Sequence, residues 1–430
     1  MTQSKLPEAF IHYVWRTKAF NHIQLKTTEG QAVQIFDYGN LNDNAGPDFL
    51  NARIKIDETV WVGNVELHIN SGEWYLHKHH LDKAYDSVIL HVVMYYNKEL
   101  KNSYGETIPT IELSDRIPHA LIDRYVLFEK RESFIPCEGL LQDLDSFEIE
   151  MYKHRLLVER LEYKTRKVER LFVASKHDWN QTLHSVVLSS LGLNINSEAF
   201  ETLASCCPYK LLNKYRDDHL KIEALLLGQA GFLAAFHDDY TYQLKDCYEF
   251  LAHKHSIKCM SKTSWKFFKM RPAQFPTLRI GIYCSLFLKL SKLLADFEKY
   301  QLNELYSVLD AQASQFWDRH FVLDKISRLN RVKRLSQQAK DLLLINAILP
   351  FMFFYSKRKK NKEMTERVLR LFLELDAEDN KVTRKWKSMG LKMDTGFDSQ
   401  SLLHLYNNYC KHKSCLSCQI GHKLLKENTY

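Results

Sequence analysis

The hydrophobic period of the chain changes once, near residue 120, and this break limits the fold more than any other feature. Ahead of it lie short β-branched and aromatic runs bounded by Gly, Asn and Asp. Gln31 to Tyr38, Phe49 to Ile56 and Val60 to Ile69 therefore read as strands. An amphipathic helix precedes them over Pro7 to Phe20: Ala9, Phe10, Tyr13, Val14 and Trp15 recur at helical spacing, and Pro7 suits a first turn. Leu81 to Asp86 suits a short helix. Val88 to Tyr96 is continuously apolar, as expected of a strand covered on both faces. The order is helix, three strands, helix, strand.

Beyond Ile117 the spacing is helical. Met151 to Phe172 sets Leu156, Leu157, Leu161, Val168, Leu171 and Phe172 on one face, with charge opposite. Further helices are predicted at His184 to Leu191, Leu220 to Ala235, Leu278 to Phe297, Tyr300 to Phe316, Asp341 to Tyr355 and Met364 to Leu375. With 14 Gly and 9 Pro in 430 residues, few positions favour tight turns, which suits long helices. The fold class expected is α+β: an α/β sheet domain over residues 1–120, then a mostly helical region over 121–430 that closes in a Cys-rich tail at 410–422.

The net charge is +8, but residues 1–120 hold 11 Lys and Arg against 15 Asp and Glu, so the basic surplus is entirely C-terminal. Such a surplus suits a nucleic-acid partner through phosphate contacts, and equally a soluble basic surface. Lys357 to Lys362 (KRKKNK) reads either as a solvated helix end or as a phosphate contact. The N-terminus lacks the apolar stretch of a secretory signal. The longest apolar run, Leu342 to Tyr355, is interrupted by Asn346 and Pro350 and is too short for a bilayer, so a cytoplasmic protein with no membrane partner is expected. In a reducing compartment the nine Cys argue for metal binding over disulfides. No phosphate-binding G-x-x-x-x-G-K-[ST], no G-x-G-x-x-G and no G-x-S-x-G is present, which leaves nucleotide-hydrolase, dinucleotide and hydrolase-elbow functions without support.

Two clusters carry chemistry. The first is Asp48 in NAGPDF, with Glu66 and His68 in GNVELH. A hairpin turning near Asp57-Glu58-Thr59 brings residue 48 opposite 66 or 68 if its loop has three residues, because a two-residue turn wants positive φ and Asp-Glu does not favour it. Leu50, Ala52, Ile54 and Ile56 would then share one apolar face with Val60 and Val62. Two carboxylates beside an imidazole can hold Mg²⁺ or Mn²⁺ and handle a water. Taken singly, Asp48 can cap a turn, Glu66 can pair with Arg53 and His68 can be a core residue. Burying such groups unpaired between Val65, Leu67 and Ile69 would cost about 1–3 kcal/mol each. His77-x-His79 has spacing that suits a transition metal, His91 reads as structural and Trp74 as packing.

The element order, a Pro-Asp step opening one strand and Glu-x-basic on the next, resembles the PD-(D/E)XK core of restriction-endonuclease-like phosphodiesterases over roughly residues 6–97. The resemblance implies that Pro47-Asp48 is the PD step, Glu66 the second metal carboxylate and His68 the lysine position. It also implies an acidic role for Glu8 on the first helix, and phosphate approach by His79 or His80 beside Tyr85. A metal-dependent nuclease is the function it implies. Because an imidazole lacks the fixed charge of lysine, a catalytically inactive nucleic-acid-binding or scaffold protein is the alternative. Over nearly the whole chain, NAGPDFLNARI, WVGNVELH, HKHHLDKAYDSVILHVV, IPCEGLL, RPAQFPTLRIG and YCKHKSCLSCQIGHKLL resemble DUF2851, a bacterial family defined as a domain of unknown function.

The second cluster is Cys410, Cys415 and Cys418, a C-x4-C-x2-C run in the tail. A C-x2-C step chelates one ion from a tight turn. The fourth ligand is His412, His422 or the distant Cys137, and the ion is zinc or, by resemblance to nucleases with one remote and three C-terminal Cys, an iron–sulfur cluster. Cys206, Cys207, Cys247, Cys259 and Cys284 read as buried thiols.

Overall fold

The structure, a computed structural model, describes residues 6–42, 44–235, 238–294 and 299–426. The chain forms two compact units, one made of Met1–Tyr152 with Leu405–Tyr430, the other of Lys153–His404. Residue 120 falls inside the first unit.

In the first unit, α1 (Glu8–Thr17) starts after an extended Pro7 and stops at Lys18, whose left-handed φ of 57° returns its amide to Trp15 and Val14. Its buried face carries Phe10, Ile11, Tyr13, Val14 and Trp15. The strands are β1 (Val33–Asp37), β2 (Asn40–Leu41), β3 (Phe49–Ile56) and β4 (Thr59–Asn70). After β4 come α2 (Glu73–Leu76), two 3-10 turns (His79–Leu81 and Lys83–Tyr85), β5 (Val88–Tyr95), β6 (Thr110–Glu112) and α3 (His119–Lys130). The sheet order is β1-β3-β4-β5-β6, with β2 pairing on β3. β1, β3 and β4 are antiparallel neighbours, whereas β5 runs parallel to β4 and β6 parallel to β5. A parallel β4–β5 pair needs a crossover, which α2 and the 3-10 turns supply. Because β4 is central, Val65, Glu66, Leu67 and His68 are all buried. The fold is therefore α+β, as its sequence pattern predicts.

The hairpin is built differently from the expectation. Ile56 pairs with Thr59, so the loop is the two residues Asp57-Glu58, with Asp57 at φ 49°. Asp57 Oδ1 accepts from Ala32 N at 2.9 Å, which anchors this turn to the start of β1. An odd pairing sum would send Asp48 away from Glu66. A bulge between Phe49 and Ala52, with Asn51 at φ 60° and its amide on Asn64 Oδ1, absorbs the extra residue and restores Phe49 opposite Val65. The apolar face consequently shifts: Phe49, Ala52, Ile54 and Ile56 are buried, whereas Val60 and Val62 are exposed.

In the second unit, the part of α4 (Ser146–Ala174) from Lys153 onward contributes Leu157, Leu161, Val168, Leu171 and Phe172 to a core shared with helices Trp179–Leu191, His219–Gln229 and Leu349–Arg358. The helix expected at Tyr300 to Phe316 is shorter, Leu302–Leu309, followed by a 3-10 turn Gln315–Arg319. That expected at Leu278 to Phe297 is Pro276–Leu293, and residues 295–297 lie outside the described residues. Around Pro350 the ladder widens to a π turn, Leu344–Ile348. In that geometry the amide of residue 350 would serve the carbonyl of residue 345, and proline has none. Lys164 Nζ donates to Ile345 O at 3.0 Å in its place. The stretch Gln337–Arg358 is long and apolar enough to cross a membrane by length and composition, and it is mostly buried.

Candidate metal-binding site at the end of the sheet

Asp48 enters β3 through the Gly46-Pro47 step, and Glu66 lies where β4 becomes buried. The two are locked together through backbone amides. Asp48 N donates to Glu66 Oε2 at 3.1 Å, and Leu67 N donates to Asp48 Oδ2 at 2.9 Å. From α1, His12 Nε2 stands 3.2 Å from Asp48 Oδ2 and 3.5 Å from Glu8 Oε1. Glu8, His12 and Asp48 thus offer three ligand atoms within 4.8 Å of one another. His12 escapes the strand-based reading, although it follows Glu8 by four residues, the spacing that puts both on one helix face.

The histidines form a second group. His68 is fully buried. Its Nδ1 is 2.7 Å from His91 Nε2, and its Nε2 is 3.1 Å from His77 Nδ1. His68, His77 and His79 again place ligand atoms within 4.8 Å. Glu66 Oε1 joins this group, 3.3 Å from His79 Nε2 and 3.8 Å from His68 Nε2. The Glu66 carboxylate therefore has one oxygen toward Asp48 and one toward the imidazoles. His79 is covered by Tyr85, ring centroids 3.8 Å apart, and His80 packs on Tyr75 at 4.9 Å. Trp74 is buried and donates to Lys101 O, consistent with a packing role.

Burial sets the electrostatics. Glu66, 3% exposed, has its carboxyl pushed up to about 9 by burial and by the adjacent Asp48. Its described ion-pair partners are histidines alone. Burial lowers His68 to about 3, so it is a neutral imidazole. Burial also pulls on His12, but contacts with Asp48 and Glu8 outweigh it and push this imidazole up to about 9. His12 Nε2 and His79 Nε2 are buried without a hydrogen bond, although carboxylate oxygens lie close to both. Converging lone pairs and an uncompensated buried acid are what a bound cation would satisfy.

The Cys-rich tail belongs to the same unit. Cys137, Cys410, Cys415 and Cys418 are buried, and none forms a disulfide. His422 Nδ1 lies 3.0 Å from the Tyr13 hydroxyl. In the other unit, a cavity of about 560 Å³ is lined by Arg160, Lys164, Lys167 and Arg279, with Glu378 as its only carboxylate among the described lining residues. Arg358 in the basic run pairs with Glu169 at 2.6 Å.

A family model described as a protein of unknown function (DUF2851) matches residues 8–381. Comparison with curated proteins and with solved structures gives no match.

Proposed function

We propose that this chain, which belongs to the DUF2851 family, is a divalent-metal-dependent phosphodiesterase acting on nucleic acid, with its reaction centre where Asp48 and Glu66 meet. The observation that carries this reading is the mutual lock between the two carboxylate residues beside Glu8 and His12. The order of α1, an antiparallel β1-β3-β4 meander and a parallel β5 supports it, since a PD-(D/E)XK-like core has that order.

The donor set fits a cation. Asp48, Glu66 and Glu8 supply oxygens for Mg²⁺ or Mn²⁺, and the imidazoles of His68, His77 and His79 extend the set toward a transition metal such as Mn²⁺. A bound ion would offset charge on a phosphodiester and lower the pKa of a water. The residues divide the remaining work. His68, sealed between His91 and His77, acts as a ligand or support and is not exposed to handle a water. His12 keeps part of its side chain exposed and is cationic, so it supplies the positive charge that the lysine position would carry. There it can neutralise a phosphate oxygen or donate a proton to a departing one.

A second reading, nucleic-acid binding without turnover, is favoured by the cavity lined by Arg160, Lys164, Lys167 and Arg279. One experiment separates the two: cleavage of single- and double-stranded DNA and RNA in Mg²⁺ and Mn²⁺, with Asp48→Asn and Glu66→Gln alongside. Metal-dependent cleavage abolished by both substitutions is the expected result. Salt-sensitive binding with no cleavage would establish the second reading instead.

A further inference from the structure

We propose that Cys137, Cys410, Cys415 and Cys418 are the four thiolate ligands of an iron–sulfur cluster that fastens the tail to the first unit. The inference is independent of the phosphodiesterase reading. Three sulfurs come from two tight turns. Cys410 opens the 3-10 turn Cys410–His412, Lys413 reverses the chain at φ 52°, and Cys415 opens the turn Cys415–Ser417. Cys418 then leads into helix Gln419–Lys426. That helix sits so close that a Cβ on Gly421 would collide with the Cys415 carbonyl, so the turn is clamped from outside.

The fourth sulfur arrives from the loop after α3. Arg131 Nη1 donates to Pro136 O at 3.2 Å and Glu138 O at 2.7 Å, gripping the backbone on both sides of Cys137. Phe134 stacks on Tyr406 with centroids 4.3 Å apart, which sets this loop against the residues leading into Cys410. The Lys413 ammonium caps the end of α3 by donating to the Glu129 carbonyl, and the Tyr152 hydroxyl lies 3.8 Å from Cys418 Sγ. All four thiols are at most 9% exposed.

Spacing selects the cofactor. A tetrahedral zinc with Zn–S near 2.3 Å draws its sulfurs to about 3.8 Å apart. Among the described residues no three of these sulfurs lie within 4.8 Å of one another. A multi-iron cluster accepts a wider ring of thiolates, and C-x4-C-x2-C with one further Cys is an iron–sulfur ligand spacing.

The test is anaerobic purification of the full chain followed by iron, acid-labile sulfide and zinc analysis and a visible absorption spectrum. Equal iron and sulfide, about two or four per chain, with a broad charge-transfer band is expected. Cys137→Ser and Cys415→Ser should each remove most of the iron, whereas Cys259→Ser should retain it. Zinc in place of iron, neither metal in the unaltered protein, or full iron in Cys137→Ser would each overturn the proposal. The composition of the unaltered protein decides the matter even if a variant fails to fold.

Discussion

Replacing Glu66 by Gln should make the metal-free β3–β4 region more stable at neutral pH, although the residue is buried and bonded. The folded carboxyl is pushed up to about 9 from an ordinary 4.5, chiefly by burial. At pH 7.5 the unfolded chain has lost this proton and the folded chain keeps it. About three pH units separate 4.5 from 7.5, each worth about 1.4 kcal/mol, so Glu66 costs the metal-free fold up to about 4 kcal/mol. The sign follows from linkage: there is no cost below pH 4.5, it grows as pH rises, and it levels off above about 9. Gln keeps an oxygen for the Asp48 amide and presents an NH₂ to His79 Nε2, so a gain of about 2 kcal/mol near pH 7.5 is expected. Hydrogen exchange of peptides covering residues 48–68, in EDTA, reads this locally as about thirtyfold slower exchange than in the unaltered protein, with the difference shrinking toward pH 5. Added Mn²⁺ should slow exchange in the unaltered protein and leave the variant unmoved. Faster exchange in Glu66→Gln at pH 7.5, or a difference that ignores pH, would refute the assignment of an uncompensated buried acid.

His77→Ala removes the exposed member of the imidazole trio, so Co²⁺ or Zn²⁺ titration should show about tenfold weaker binding or more while thermal unfolding barely shifts. Unchanged affinity would dissolve the trio as a site. Gly63→Ala sets a Cβ against the Ile89 side chain and 2.7 Å from Ser87 O, which should destabilise the first unit by about 1–3 kcal/mol in urea denaturation; a neutral result would contradict the close approach of β4 to the start of β5. Because His68 is lowered to about 3, it favours the fold fully above pH 6.5 and loses that contribution as pH falls toward 3. His68→Gln should therefore flatten the acid limb of a stability-against-pH curve, and an unaltered limb would exclude the buried neutral imidazole. Lys164→Met leaves the Ile345 carbonyl without its donor and should cost about 1–3 kcal/mol by the same denaturation, with Lys164→Arg recovering part of the loss; no change would refute the part assigned to Lys164 beside Pro350.

The element order, the period change and the meeting of Asp48 with Glu66 are legible in the sequence, because alternation and turn residues encode them locally. The route by which they meet is not. Asp57 adopts positive φ without being Gly or Asn, and Asn51 hides a bulge within an unbroken strand pattern, so two irregularities cancel where one regular loop was expected. His12 was hidden because its α1 reads as a packing helix, and its partner Asp48 lies outside any helical period. The histidine trio could be glimpsed in His77-x-His79, but His68 joins it only through the crossover after β4. That the loop holding Cys137 packs against the residues leading into Cys410 rests on the Phe134–Tyr406 stack, which no local pattern announces.

The first unit is assembled from two stretches far apart in sequence, with residues 153–404 spliced between them. A ribosome releases the sheet and Cys137 long before Cys410 emerges, so the nascent sheet waits through the synthesis of an entire second body with its partner segment missing. Only when translation has passed residue 424 can Tyr13 find His422 and Arg124 find the Leu424 carbonyl. A message cut short anywhere in the helical stretch would yield a first unit without the segment that Tyr13 and Arg124 bind.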